Sequence, residues 1–183
     1  MSSPAWYLVL LGLVALERVA ELIVSARNIA WAKANGGVEY GLGHYPVMVV
    51  LHLGLLVGCA VEAFHRPFLP WLGWPMLAVV LAAQGLRWWC IATLGRRWNT
   101  RIVVVPGLPL VTGGPYRRWR HPNYVAVIAE GIALPLVHSA WVTAVVFTVL
   151  NAALLRVRIR AENAALASAP TAGERDAPIG RPA

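Results

Sequence analysis

Gly114-Pro115-Tyr116-Arg117-Arg118-Trp119-Arg120-His121-Pro122-Asn123-Tyr124 leads into an apolar run that reaches Leu155, and Arg156-Val157-Arg158-Ile159-Arg160-Ala161-Glu162-Asn163 leaves it. One polar, titratable cluster therefore enters a membrane-grade segment, and a second one leaves it. The short connection at residues 136–140 divides the run into two segments that must lie antiparallel. That arrangement brings the two clusters side by side at one edge of the membrane. The expected site is thus assembled from two sequence-distant pieces at the end of one helical hairpin.

Composition supports a membrane setting. Of 183 residues, 58% are hydrophobic and 13% are charged, whereas a soluble domain carries about 25% charged residues. Several apolar runs approach the roughly 20 residues that a helix needs to cross a bilayer, and nine Trp accompany them. The net charge of +8 is clustered, which fits the cytoplasmic face of a membrane protein better than nucleic acid. No basic and aromatic residues alternate on a polar surface, as single-strand binding requires, so nucleic acid is not an expected partner. Lys33 is the sole Lys among sixteen basic residues, an Arg bias of the kind found in GC-rich bacterial genomes. Cys59 and Cys90 both lie in apolar runs and read as small hydrophobes. Their spacing suggests neither a metal site nor a disulfide framework.

The expected fold is an all-α, polytopic membrane bundle of about five transmembrane helices, with a membrane domain over residues 1–166 and a disordered cytoplasmic tail over residues 167–183. The first apolar run reads as a retained span, because no basic region and small-residue cleavage site mark it as a signal peptide. That span covers residues 5–24. Its second half carries Glu17 and Glu21, and with Ser25 and Asn28 after them they form a stripe at helical spacing. The stripe has two readings: an interfacial helix end in which Arg18 pairs with Glu21, or a face turned toward other helices and a polar pocket, since lipid solvates no charge. Residues 28–45 read as a loop with a turn at Asn35-Gly36-Gly37.

The second span covers residues 46–64 and contains His52, read as packed and hydrogen-bonded. The third covers residues 71–94, with Gln84 and Arg87 on one face and Trp88-Trp89 as an interfacial belt. Residues 96–120 form a basic loop in which residues 101–112 read as a short surface hairpin. Pro122 suits the first turn of a helix, where its missing N–H costs nothing. The fourth span covers residues 122–136, short for a full crossing, and the fifth covers residues 139–156, continuing as an amphipathic helix to residue 166. Glu130 lies inside the fourth span. It reads either as a base for a phenol or acid proton, or as a partner for Arg87.

Basic residues set the expected orientation. They fall after the first span (Arg27, Lys33), between the third and fourth (Arg96, Arg97, Arg101, Arg117, Arg118, Arg120), and after the fifth (Arg156, Arg158, Arg160), with little beyond Arg66 on the other side. Five spans with the N-terminus outside place all these clusters, and the site between them, in the cytoplasm.

Gly-Pro-Tyr-Arg at residues 114–117, Arg-His-Pro-x-Tyr at residues 120–124 and Arg158 with Glu162 four residues on resemble the isoprenylcysteine carboxyl methyltransferase family, over about residues 94–166. Where the family usually has Gly two residues after the motif Tyr, this chain has Ala126. Where it usually has a second Glu, this chain has Asn163. The resemblance implies an integral membrane enzyme that uses S-adenosylmethionine, with Arg120, His121, Tyr124 and Glu162 near the cofactor. Tyr116 and Asn163 belong to the same motifs.

Arg120 and His121 stand at a helix start, where backbone N–H groups and the helix dipole favour an anion such as the cofactor carboxylate. Glu162 suits the ribose or the ammonium, and Tyr116 or Tyr124 the adenine or the sulfonium. Arg158 shares a helix face with Glu162 and is the catalytic candidate together with Glu130. Arg156 and Arg160, on other faces, are expected at lipid phosphates, and membrane anchoring is the competing reading for all these arginines. Glu17, Glu21 and Arg87 are assigned to the acceptor side or to packing of the bundle.

The family's type reaction is carboxyl methylation of a prenylated cysteine. The expected acceptor here is a lipophilic carboxyl or phenol compound drawn from the bilayer, such as an alkylated polyketide or a phenolic lipid. Phospholipid N-methylation is one alternative reading. A non-catalytic membrane subunit that kept the fold is another.

Overall fold

The computed structural model describes residues 4–168. Five helices carry the fold: α1 (Ala5–Ala34), α2 (Tyr45–Ala63), α3 (Pro70–Leu94), α4 (Pro122–Leu136) and α5 (Trp141–Ser168). The hairpin of α4 and α5 forms where the sequence places it, with Pro122 in the first turn of α4. α5 runs on without a break past Glu162. The expected disordered tail, beyond the two helical residues Ala167 and Ser168, lies outside the described residues.

The bundle is that of an all-α membrane protein. Three of its helical segments, Leu42–Ala63, Pro70–Arg97 and Trp141–Ala167, are long and apolar enough to cross a membrane. The other two fall outside that set for separate reasons, the short fourth helix as the sequence reading has it. α1 has 30 residues, but Glu17, Arg18 and Glu21 interrupt its apolar run. α4 has 15 residues, about 22 Å at 1.5 Å per residue, against about 30 Å of hydrocarbon.

Two loops fold differently from the sequence reading. Residues 28–34 are not loop, because α1 continues through Ala34. Its last turns are held by Asn28, whose Nδ2 donates to the carbonyls of Trp98 (2.6 Å) and Gly95 (3.1 Å). Residues 101–112 do not pair with themselves. Instead β2 (Ile102–Val104) pairs antiparallel with β1 (Val38–Tyr40), Glu39 standing opposite Val103. Arg101 donates to Glu39 at 2.9 Å and lies over the Tyr45 ring at 4.6 Å. This hydrogen bond holds the Arg101 guanidinium above its ordinary pKa. A local turn signal at Pro106-Gly107 could not reveal a partner strand 60-odd residues earlier in the chain.

The two ends of the bundle are chemically opposite. At one end, Tyr7, Leu11, Leu55, Cys59, Ala63, Val80, Leu134, Val137 and Phe147 form the apolar core. The Tyr7 hydroxyl donates to the Leu134 carbonyl at 2.8 Å, while the buried His138 ring stacked on Tyr7 has neither nitrogen hydrogen-bonded among the described residues. Glu62, at the end of α2, caps α5 from outside: its carboxylate accepts from the Thr143 N–H (2.6 Å), the Thr143 hydroxyl (2.6 Å) and the Val142 N–H (3.3 Å). A carboxylate on the orphan N–H groups of a first turn contributes about 0.5–2 kcal/mol. This contact fixes the start of α5, and with it the register of every α5 residue at the other end.

Between the two ends lies a buried charged layer. Arg18 donates to Glu21 (2.8 Å) and Gln84 (3.1 Å) and lies 3.7 Å from Glu130. Arg87 pairs with Glu130 and, at 3.5 Å, with Glu21. Gln84 donates to Glu17, which also accepts from Trp88 Nε1 at 2.6 Å. The polar stripe of α1 therefore faces the bundle, and the Arg18–Glu21 pair forms within it. His52 is packed edge-on against Phe147, with its Nδ1 2.8 Å from the Met48 carbonyl oxygen.

Candidate functional site

The polar end of the bundle encloses a cavity of about 530 Å³, within the size range of small-molecule and cofactor sites. α5 supplies Arg158, Glu162, Asn163 and Leu166; the start of α4 supplies His121, Asn123 and Tyr124. Tyr116, from the short 3-10 turn at Gly114–Arg117, and Arg120 complete the set read from the motifs. All seven residues proposed for cofactor binding or for Arg158's catalytic role thus line one space.

The hairpin geometry explains the convergence. His121 is the N-cap of α4 and makes no capping hydrogen bond with its side chain, which leaves its ring to turn into the cavity. That ring stacks on Tyr124, with centroids 5.4 Å apart. The Tyr124 hydroxyl donates to Glu162 at 2.5 Å, across 38 residues of sequence. The other Glu162 oxygen lies 3.5 Å from His121 Nδ1. Arg158, one helical turn before Glu162, is 5% exposed. It donates to the Thr100 carbonyl at 2.9 Å, and its guanidinium carbon lies 6.0 Å from the Tyr124 ring centre. Burial raises the pKa of the Tyr116 phenol, so Tyr116 remains a neutral donor. Arg120 is exposed at the rim.

Several polar atoms here are buried without a partner: His121 Nε2, Asn123 Oδ1, Asn163 Oδ1, Asn99 Oδ1, Trp98 Nε1 and Arg158 Nε. Buried polar groups are normally hydrogen-bonded, and each exception costs about 1–3 kcal/mol. All six belong to cavity-lining residues, and together they offer both donors and acceptors. The walls beyond them are apolar, with Leu94, Val103, Leu108 and Leu166 among them. Such a lining suits a ligand with a polar, hydrogen-bonding body and an apolar edge.

The sequence motifs did not reveal two contributors. Trp31 and Ala32 of α1 and much of the 97–112 loop line the cavity. The signal for α1 was present in its polar stripe, since Ala32 extends Glu21, Ser25 and Asn28 along the same face. For the loop there was none, because its placement depends on strand pairing with β1. Conversely, Glu17, Glu21, Arg87 and Glu130 are not among the cavity-lining residues. They form the charged layer one level away. Ser25, 2.9 Å from Thr100, bridges the two levels.

Known proteins similar to this chain place it in a family. The chain is 41% identical over 160 residues to the uncharacterized protein YpbQ of Bacillus subtilis, covering 86% of this chain and 94% of that protein. It is 26% identical over 152 residues to an uncharacterized protein of Haemophilus influenzae, covering 81% and 88% respectively. No solved structure matches. The model of the isoprenylcysteine carboxyl methyltransferase family matches residues 76–168, a segment that holds α4, α5 and every motif residue of the cavity. With three membrane-capable helices and this match over half its length, the chain belongs to the isoprenylcysteine carboxyl methyltransferase family of integral membrane methyltransferases.

Proposed function

We propose that the protein transfers a methyl group from S-adenosylmethionine to a carboxyl or phenol oxygen of a lipophilic acceptor drawn from the bilayer. The observation that carries this reading is the set of six unpartnered polar atoms around one cavity, which fits a cofactor rich in hydrogen-bonding groups. Arg120 and the start of α4 would hold its carboxylate. Glu162 would accept from the ribose or ammonium, His121 and Asn163 would complete the polar contacts, and Tyr116 or Tyr124 would face the adenine or sulfonium. S-adenosylmethionine supplies an electrophilic methyl group, so the protein needs no covalent nucleophile. Its residues align the two reactants and keep water out. Arg158, buried at the cavity wall with Nε free of partners, is suited to hold the acceptor oxygen as an anion. Glu130 lies in an ion pair with Arg87, and with Glu17 and Glu21 it acts in this reading through packing of the bundle.

The test is methyl transfer by purified protein in detergent with methyl-labelled S-adenosylmethionine. Long-chain alkylphenols and fatty acids should acquire label as ethers or esters. Label appearing on phosphatidylethanolamine alone would replace this reading with lipid N-methylation. Failure to bind the cofactor at all would favour a non-catalytic subunit.

The same reading puts the cavity on the cytoplasmic side, because the basic residues cluster there. Leu110 is 70% exposed on the cavity-side loop. In intact cells, a Leu110→Cys probe should resist a membrane-impermeant thiol reagent, and ready labelling would reverse the orientation.

A further inference from the structure

A second, smaller groove lies between α4 and α5, on the outward face of the hairpin rather than at its polar end. Its volume is about 240 Å³. Ile128 and Ile132 of α4 face Ala152 and Leu155 of α5 across it. An apolar groove on a membrane helix pair meets lipid chains as a matter of course, but two side chains here are not apolar. Asn151 is 3% exposed, lines the groove, and has no hydrogen-bond partner for Oδ1. Thr148, which also lines the groove, is satisfied within its own helix, its hydroxyl donating to the Ala144 carbonyl at 2.6 Å. Asn151 thus stands out as an unspent amide in a hydrocarbon setting, where an unpaired polar group is expensive. Arg156 stands at the groove's other polar position, five residues or about 7.5 Å farther along α5. It is exposed, with no ion-pair partner among the described residues.

We propose that this groove is a binding site for one anionic, ester-linked phospholipid, with its phosphate on Arg156, its ester region at Asn151 and an acyl chain along Ile128, Ile132 and Phe147. The order of the groups matches the order of the lipid. A cation comes first at the polar boundary, then one hydrogen-bonding amide deeper in, then hydrocarbon. Either edge of the amide can be presented by a half-turn of the side chain, so an ester oxygen can take its N–H. An Arg fork suits a phosphate better than a point charge would. The site is separate from the cofactor cavity, with no lining residue in common, and occupancy there does not depend on which reaction the protein performs.

The test uses the intact protein in phosphatidylcholine nanodiscs doped with phosphatidylglycerol carrying a photoactivatable acyl chain. Crosslinks should map to the peptides holding Ile128–Ile132 and residues 147–159. Arg156→Gln, a change at an exposed position, should reduce crosslinking there about tenfold or more. Asn151→Leu should reduce it less, and Ala152→Trp should abolish it by filling the groove. Arg160→Gln, on an exposed residue that does not line the groove, should leave it unchanged. S-adenosylmethionine binding should persist in all four variants. Equal crosslinking in the parent and in Arg156→Gln, or equal crosslinking by a phosphatidylcholine probe, would overturn the proposal.

Discussion

Replacing His121 with Ala and Glu162 with Gln in one chain is expected to weaken S-adenosylmethionine binding at least as much as either change alone, while the protein stays folded. The two residues come from opposite arms of the α4–α5 hairpin and meet at 3.5 Å, with Tyr124 between them donating to the same carboxylate. A charge-assisted hydrogen bond to a ligand is worth roughly 1.5–3 kcal/mol, so each single variant should lose about ten- to a hundred-fold in affinity. The losses should not add, because both residues serve one ligand and each other. Asn163→Ala removes a neutral partner and should cost under about tenfold. Calorimetric titration of monodisperse protein in detergent measures all of these. A folded double variant that bound the cofactor as tightly as the parent would reduce both clusters to membrane anchors.

The second large effect is on stability. Arg87 is 4% exposed and sits between two carboxylates, Glu130 and Glu21. Arg87→Ala removes the cation and leaves both buried acids short of a partner. Breaking a buried pair from one side costs roughly 3–5 kcal/mol, enough to lower the unfolding midpoint clearly in a thermal melt followed by tryptophan fluorescence. Replacing both members, as Arg87→Met with Glu130→Met, removes the uncompensated charge and should recover much of the loss. Arg18 remains for Glu21, at 2.8 Å. An Arg87→Ala variant as stable as the parent would show that water or another group already solvates the acids.

The hairpin and its two clusters were legible because their information is local. Pro122 fixes a helix start, helical spacing puts Arg158 and Glu162 on one face, and a short connection forces the arms together. Trp31 and the 97–112 loop were not legible as cavity walls, because their positions depend on contacts made across the chain. Asn28 reaches the Trp98 carbonyl over 70 residues, and β2 finds its partner in the loop after α1. The charged layer was half legible. Its residues stood out as ionisable groups in apolar runs, but Glu130 alone gave no means of choosing between a base and a partner for Arg87 until α3 and α4 were seen packed together. Asn151 was not singled out in the sequence, where it is one polar residue in an apolar run. Its meaning comes from the groove around it.

The strand pair between β1 and β2 also bears on how the protein is made. The family match begins at residue 76, yet residues 28–40 hold the cavity's roof in place from the other half of the chain. During synthesis α1, β1 and α2 leave the ribosome before residues 101–104 and must wait, with the edge of β1 uncovered, until that segment emerges. The motifs of the α4–α5 hairpin come later still. The first 75 residues therefore act as a template against which the motif-bearing half is assembled, and a fragment starting at Met76 would carry every signature residue without the surface that shapes them into a site.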